Sequence, residues 1–211
     1  MSGPAVIGLR ERKKIRTRAT IRSEAIRLFV EQGYANTTVE QIAEAADVSP
    51  STFFRYFPTK EAVIITDEFD PLIFQEFRDQ PAEVTPIRAF RNAIRKVFGT
   101  MNQEAVEQEH VRQRIMQSVP ELRSAMLEEF GVSLRLLAGM IGERVGRPAD
   151  DKRVQVLAGA MIGVVMSVTL SHWNLPGVPA DPAPPAAMDE MMEMAAEVDE
   201  ALELLELGLP L

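Results

Sequence analysis

At 211 residues the chain is long enough to bury a substantial core in one or two domains. It has no cysteine, which excludes disulfides and thiolate metal sites. Met1–Leu9 lacks the basic start and long apolar run of a secretory signal, so a cytoplasmic location is expected. The net charge of −8 is unevenly spread: residues 1–60 hold ten Lys/Arg against six Asp/Glu, and residues 61–211 hold thirteen against twenty-five. A basic N-terminal part therefore precedes an acidic remainder.

Arg10, Arg12, Lys13, Lys14, Arg16 and Arg18 form a basic run ahead of a first amphipathic helix, which is marked by Ile21, Ala25, Leu28 and Phe29. Such a run is either a solvated face or a disordered arm that meets phosphates or the minor groove. The stretch from Thr37 to Lys60 then reads as two short helices joined by a tight turn, a helix-turn-helix. Thr38 and Gln41 form a capping box, and Val39, Ile42, Ala43 and Ala46 make one buried stripe. Asp47-Val48 is the turn. Ser49 is an N-cap, Pro50 suits the first helical position, Phe53 and Phe57 share a face, and Pro58 stops the helix. Ser51, Thr52, Phe54, Arg55 and Tyr56 are left on or near the exposed surface. An ordinary helical hairpin is the alternative, but caps, periodicity and polar outer face agree on a DNA reader.

The segments Phe29-Val-Glu-Gln-Gly-Tyr34, Thr38-Val-Glu-Gln-Ile-Ala43, Val48-Ser49, Phe54-Arg-Tyr-Phe57 and Lys60-Glu61 together resemble the DNA-binding domain of the TetR family of transcriptional regulators. The resemblance covers about the first third of the chain. It departs from the family at Asp47, where Gly is usual, and at Phe54, where Tyr is usual. Asp tolerates the left-handed backbone that such a turn needs. At Phe54 the hydroxyl that commonly reaches a phosphate is missing, which leaves a thymine methyl or a sugar as its contact. The resemblance implies phosphate contacts by Thr38, Tyr56 and Lys60. Base-edge contacts are expected from Pro50, Ser51, Thr52 and Phe54, while Arg55 suits either class.

Everything beyond Lys60 reads as helix, giving an all-α fold with a DNA-binding domain at 1–60 and a ligand-binding and dimerisation domain at 61–211. Thr59 is expected to cap a helix through Val63, Ile64 and Phe69 that Pro71 ends or kinks. Further helices are predicted from Thr85-Pro86 to Met101, from Glu104 to Gln117, and from Pro120 to Ile141 with a stop at Gly146-Arg147-Pro148. Val154–Trp173 carries no charged residue and is about long enough to cross a bilayer. A membrane-anchored DNA-binding sensor with a span at 154–173 is therefore the alternative to a buried or interface helix. Gly159 and Gly163 would admit a close neighbour in either setting. The resemblance places this segment in a four-helix dimer interface. Asn174–Pro185 reads as an exposed Pro-rich connection, followed by an amphipathic helix with a Met-rich face and an acidic face that suits a surface held away from DNA.

No catalytic constellation emerges. His110 and His172 lie on separate helices without a ligand-spaced partner, and no phosphate-loop glycine pattern occurs. No enzyme activity, metal or cofactor is expected. The expected partners are a near-palindromic operator, a second copy of the chain and a small apolar effector, with repression relieved by that effector. Phe90, Phe98, Met101, Met126, Phe130, Met140, Met161 and Met166 supply the apolar surface of a candidate pocket, against the alternative of a filled core. The segment His110–Met126 resembles a branch of the family associated with acyl-CoA-like ligands. That implies Arg112, Arg114 or Arg123 as partners for the ligand phosphates.

Overall fold

The helical periodicities are realised along the chain in a computed structural model that describes residues 9–66, 69–172 and 187–209. The regular structure among these residues is entirely α-helical. The chain divides into two units, Met1–Thr66 and Asp67–Leu211.

The first unit opens with α1 (Leu9–Gln32), which contains the whole basic run from Arg10 to Arg18. The run is thus helical rather than a separate arm, because Lys and Arg favour helix and neither Gly nor Pro interrupts the segment. Gly33, with φ 85°, ends α1, its N–H bonding back to the Phe29 carbonyl at 3.1 Å. In α2 (Val39–Ala45) the capping box forms as the sequence predicts, with Thr38 and Gln41 bonding each other's backbone. Asp47 takes φ 52° at the turn, and Ser49 caps α3 (Pro50–Tyr56) with Pro50 in its first turn. Ile21, Ala25, Phe29, Ile42, Phe53 and Phe57 form the core.

The boundary between the units falls at Thr66 rather than at Lys60. The helix α4 (Ala62–Ile65) buries Val63 and Ile64 completely and packs on α1, and Arg22 of α1 donates to the Thr66 carbonyl at 2.7 Å. The single helix expected from Thr59 through Phe69 is likewise two elements. After Ile65 the chain leaves helical geometry at Thr66 (ψ 113°), and Pro71 sits in the first turn of α5 (Asp70–Asp79) instead of ending a helix. A proline costs nothing there, since first-turn N–H groups have no intrahelical partner. Lys60 closes the unit from inside. Its ammonium donates to the carbonyls of Tyr34 (2.9 Å) and Thr37 (3.0 Å) and lies 4.1 Å from the centre of the Tyr34 ring.

The second unit packs α5 with α6 (Pro86–Gly99), α7 (Gln103–Ser118), α8 (Pro120–Val145), α9 (Lys152–Ser171) and α10 (Ala187–Glu206). The core draws Phe77 from α5, Phe90 and Ile94 from α6, Leu137 and Ile141 from α8, Met161 from α9 and Leu202 from α10. Arg144 of α8 clamps the end of α5 by donating to the carbonyls of Phe77, Gln80, Pro81 and Val84. Gly142 is required where the chain turns back, because a Cβ there would lie 2.6 Å from the Arg147 carbonyl oxygen. One side of α9, carrying Val154, Ala158, Met161 and Val168, is buried in this core. The other side, with Val156 63% exposed and Gly163 and Ser167 exposed, faces outward. The Pro-rich connection expected at 174–185 lies outside the described residues.

A ladder of charges fastens α10 to α6. Arg88, Arg91 and Arg95 line one face of α6, and Asp199, Glu203 and Glu206 line one face of α10. Arg91, 6% exposed, grips Asp199 with two bonds of 3.0 Å and reaches Glu206 at 3.1 Å. The hydrogen bonds donated by Arg91 hold the Asp199 carboxyl below the ordinary aspartate range, against the opposing effect of burial, and the same bonds raise the Arg91 guanidinium further above its usual value. Part of the acidic face of α10 is therefore spent inside the unit rather than left as free surface.

Two substitutions test these fastenings. Arg91→Ala leaves partly buried carboxylates facing one another and should cost about 2–3 kcal/mol in chemical denaturation, below the cost for a fully buried pair because the acids keep some water. The contribution of Asp199 is complete above the ordinary pKa of about 3.9 and is lost as pH falls through its lowered folded value. The acid loss of stability should accordingly be shallower in Arg91→Ala than in the parent. Lys60→Ala removes two charged hydrogen bonds and should destabilise the first unit by about 1–3 kcal/mol in thermal unfolding.

Candidate DNA interface and effector groove

The outward side of α3 collects most of the residues that the sequence marks for DNA. Pro50, Ser51, Phe54 and Arg55 are exposed, and Thr52 and Tyr56 are half-buried. A small hydroxyl network sets their positions. The Ser49 hydroxyl accepts from the Thr52 N–H (3.2 Å), donates to the Thr52 hydroxyl (3.0 Å) and lies 2.9 Å from the Ser51 hydroxyl. The Thr52 hydroxyl is thus held by the helix cap, and the more exposed Ser51 hydroxyl lies within reach of the same serine. Arg55 lies over the Tyr56 ring, 5.4 Å from its centre, which keeps an exposed guanidinium near the end of the helix. Thr38 is exposed at the start of α2 with its oxygen engaged in the capping box. Lys60 is the outlier, with two of its three N–H groups bonded internally.

Two members of the basic neighbourhood are structural, and the sequence reading missed their role. Arg18 lies 4.6 Å from the centre of the Phe57 ring and donates to the Tyr56 carbonyl at 3.4 Å; Arg22 lies 5.7 Å from the same ring. They hold the end of the recognition helix against α1. The signal was their spacing: they flank Ile21 and Ala25 on the buried stripe, not on the solvated side. Arg10, Lys13, Lys14 and Arg16 are exposed.

The candidate effector residues separate into buried and half-buried side chains. Phe90, Met126, Met140 and Met161 are buried, between 0% and 7% exposed. Phe98, Met101, Phe130 and Met166 are half-buried. An open groove of about 440 Å³ runs between α5, α6 and the start of α7, with Phe69, Leu72, Val97 and Met101 as its apolar lining. Lys96 and Glu76, also lining it, pair at 2.7 Å. Met101 is the one predicted residue that lines this groove. Bulky apolar side chains mark a core and a cavity alike, so periodicity could not separate them.

Arg112 is 5% exposed and forks onto Glu109, with bonds of 2.6 and 2.5 Å. That carboxylate neutralises the charge that the resemblance assigned to a ligand phosphate. Arg114 is exposed and Arg123 half-buried. Both histidines meet carboxylates of α10: His110 Nδ1 lies 3.2 Å from Glu190 and His172 Nε2 lies 3.0 Å from Glu197. Among the described residues no group of three metal-ligating side chains converges.

Comparison with known proteins agrees with this geometry. Residues 21–65 match the family described as "Bacterial regulatory proteins, tetR family", and residues 84–210 match the "MftR C-terminal domain". The chain is 35% identical over 181 residues to the HTH-type transcriptional regulator TcmR of Streptomyces glaucescens, covering 82% of this chain and 80% of that protein. It is 27% identical over 163 residues to the putative mycofactocin biosynthesis transcriptional regulator MftR of Mycobacterium tuberculosis, covering 77% and 82%. Among solved structures, Thermus thermophilus FadR in complex with lauroyl-CoA is similar with a TM-score of 0.54 at 23% identity, covering 92% of this chain and 95% of that one. A TetR-family regulator from Syntrophomonas wolfei is similar with a TM-score of 0.58 at 19% identity, covering 94% and 98%. The two family matches account for the reader and the sensor in turn, and the chain belongs to the TetR family of bacterial DNA-binding transcriptional regulators.

Proposed function

We propose that this regulator is a cytoplasmic, homodimeric repressor, released from a near-palindromic operator by a small and largely apolar effector. The observation that carries the reading is the groove between α5, α6 and α7, which lies in the unit that does not read DNA and has the size and apolar lining of a small-molecule site. Base edges are read by Pro50, Ser51, Thr52 and Phe54. Thr38 and Tyr56 contact phosphates, as does Lys60 through its third N–H, and Arg55 serves either class. One such helix spans only a few base pairs, so two copies about one helical turn apart or somewhat more supply useful affinity.

The outward side of α9 supports the dimer. Val156, Gly159, Gly163 and Ser167 form an apolar, small-residue row along which a second helix can approach closely. Together with α10 it offers the surface for a four-helix interface, which accounts for the apolar composition of α9 without a membrane. A Cβ at Gly159 meets nothing within 4 Å, so Gly159→Arg should fold. In sedimentation it should be a monomer, and binding to a palindromic operator should collapse. A variant that stays dimeric removes this face from the interface.

An acyl-CoA is the effector to try first, with the acyl chain along Phe69, Leu72, Val97 and Met101, and with Arg114 or Arg123 available to its phosphates. Weakening operator binding a hundredfold requires about 2.7 kcal/mol of differential ligand affinity between two arrangements of the dimer. Long-chain acyl-CoA should release operator DNA at micromolar concentration, while free CoA should not. Met101→Trp, which puts a bulkier ring into the groove lining, should weaken release and leave operator affinity unchanged. No release and no thermal shift with acyl-CoAs of several lengths would reject the acyl-CoA assignment. Undiminished release in Met101→Trp would reject the groove.

A further inference from the structure

One residue on the outward side of α3 differs in chemistry from its polar neighbours. Phe54 is 50% exposed, while Phe53 and Phe57 on the same helix are completely buried. Its ring meets Phe53 edge to face, with centroids 5.5 Å apart and planes at 89°. Phe53 in turn lies 6.0 Å from Phe57. A buried ring thus props the exposed one, which loses little rotamer freedom when it meets a partner.

The Phe54 side chain has no donor or acceptor, so it cannot use the hydrogen-bonding pattern of a base edge. The apolar group that a base pair presents in the major groove is the 5-methyl of thymine. A deoxyribose is the other apolar surface of DNA, but Phe54 follows Ser51 by three residues and shares its exposed side, the side that faces base edges. We propose that Phe54 selects a thymine in each operator half-site by covering its 5-methyl group. This inference rests on the DNA-reading role of α3 given above. Because 5-methylcytosine carries a methyl at the same place, its substitution for cytosine should recover part of the affinity lost when that thymine is replaced by cytosine.

The test uses the full-length protein and an operator selected from random DNA. Each thymine is replaced in turn by deoxyuridine, which keeps the hydrogen-bonding pattern and lacks the methyl. One thymine per half-site should respond, with binding weakened about fourfold, the effect of withdrawing one methyl group from an apolar contact. Phe54→Ala should bind the thymine and deoxyuridine operators equally, whereas Phe54→Tyr, which keeps the ring, should still distinguish them. Insensitivity of the parent protein at every thymine overturns the inference, and so does a thymine preference that survives in Phe54→Ala. A selection that enriches no sequence at all refutes the DNA-reading role and this inference with it. A specific operator indifferent to deoxyuridine refutes the inference alone.

Discussion

The sensor unit depends on a buried guanidinium. Arg91 sits in α6 with its head group almost fully withdrawn from water, a position affordable only because Asp199, Glu203 and Glu206 converge on it from α10. Hydrophobic burial of Val198 and Leu202 brings α10 onto the core but is tolerant of sliding. The ladder is not tolerant: a shift of α10 by one turn would place carboxylates against the wrong residues. The ion pairs thereby fix the register of the last helix, and with it the surface that α9 and α10 present together. A dimer built on that surface inherits its geometry from a charge pairing inside each copy.

The same ladder fixes part of the acidic residues in place. The acidic excess beyond residue 60 is what remains after every cation there is counted, so ion pairing does not remove it. Pairing instead sets where individual acids sit: Asp199, Glu203 and Glu206 opposite Arg88, Arg91 and Arg95, Glu76 opposite Lys96, and Glu109 opposite Arg112. The basic residues of α1 are placed differently. Arg18 and Arg22 brace the aromatic end of α3, while Arg10, Lys13, Lys14 and Arg16 point outward. Net charge alone separates none of these roles.

The helix-turn-helix was legible in detail because its signals are local. A capping box, an N-cap serine before proline and an aspartate in left-handed geometry each depend on neighbours a few residues away. The places less legible are those where one pattern admits two outcomes. Whether Pro71 ends a helix or starts one depends on where Ile65 and Thr66 turn out of α4. Whether Phe90 lines a cavity or fills a core depends on α8, α9 and α10 together. An arginine three residues after a glutamate can pair with it or reach outward, and Arg112 pairs with Glu109. The α6–α10 ladder joins residues more than a hundred positions apart, and its stripe of arginines at three- and four-residue spacing was the one available clue.

The groove in the second unit lies close in sequence to the unit boundary. Val63 and Ile64 are buried in the core of the first unit, and Arg22 donates to the Thr66 carbonyl at its last residue. Phe69 and Leu72, which line the groove, are among the first residues of the sensor. On its far side the same groove is walled by Val97 and Met101 at the end of α6, the helix that carries Arg91 and the ladder. The groove lining thus joins the first residues of the second unit to the helix that carries the ladder.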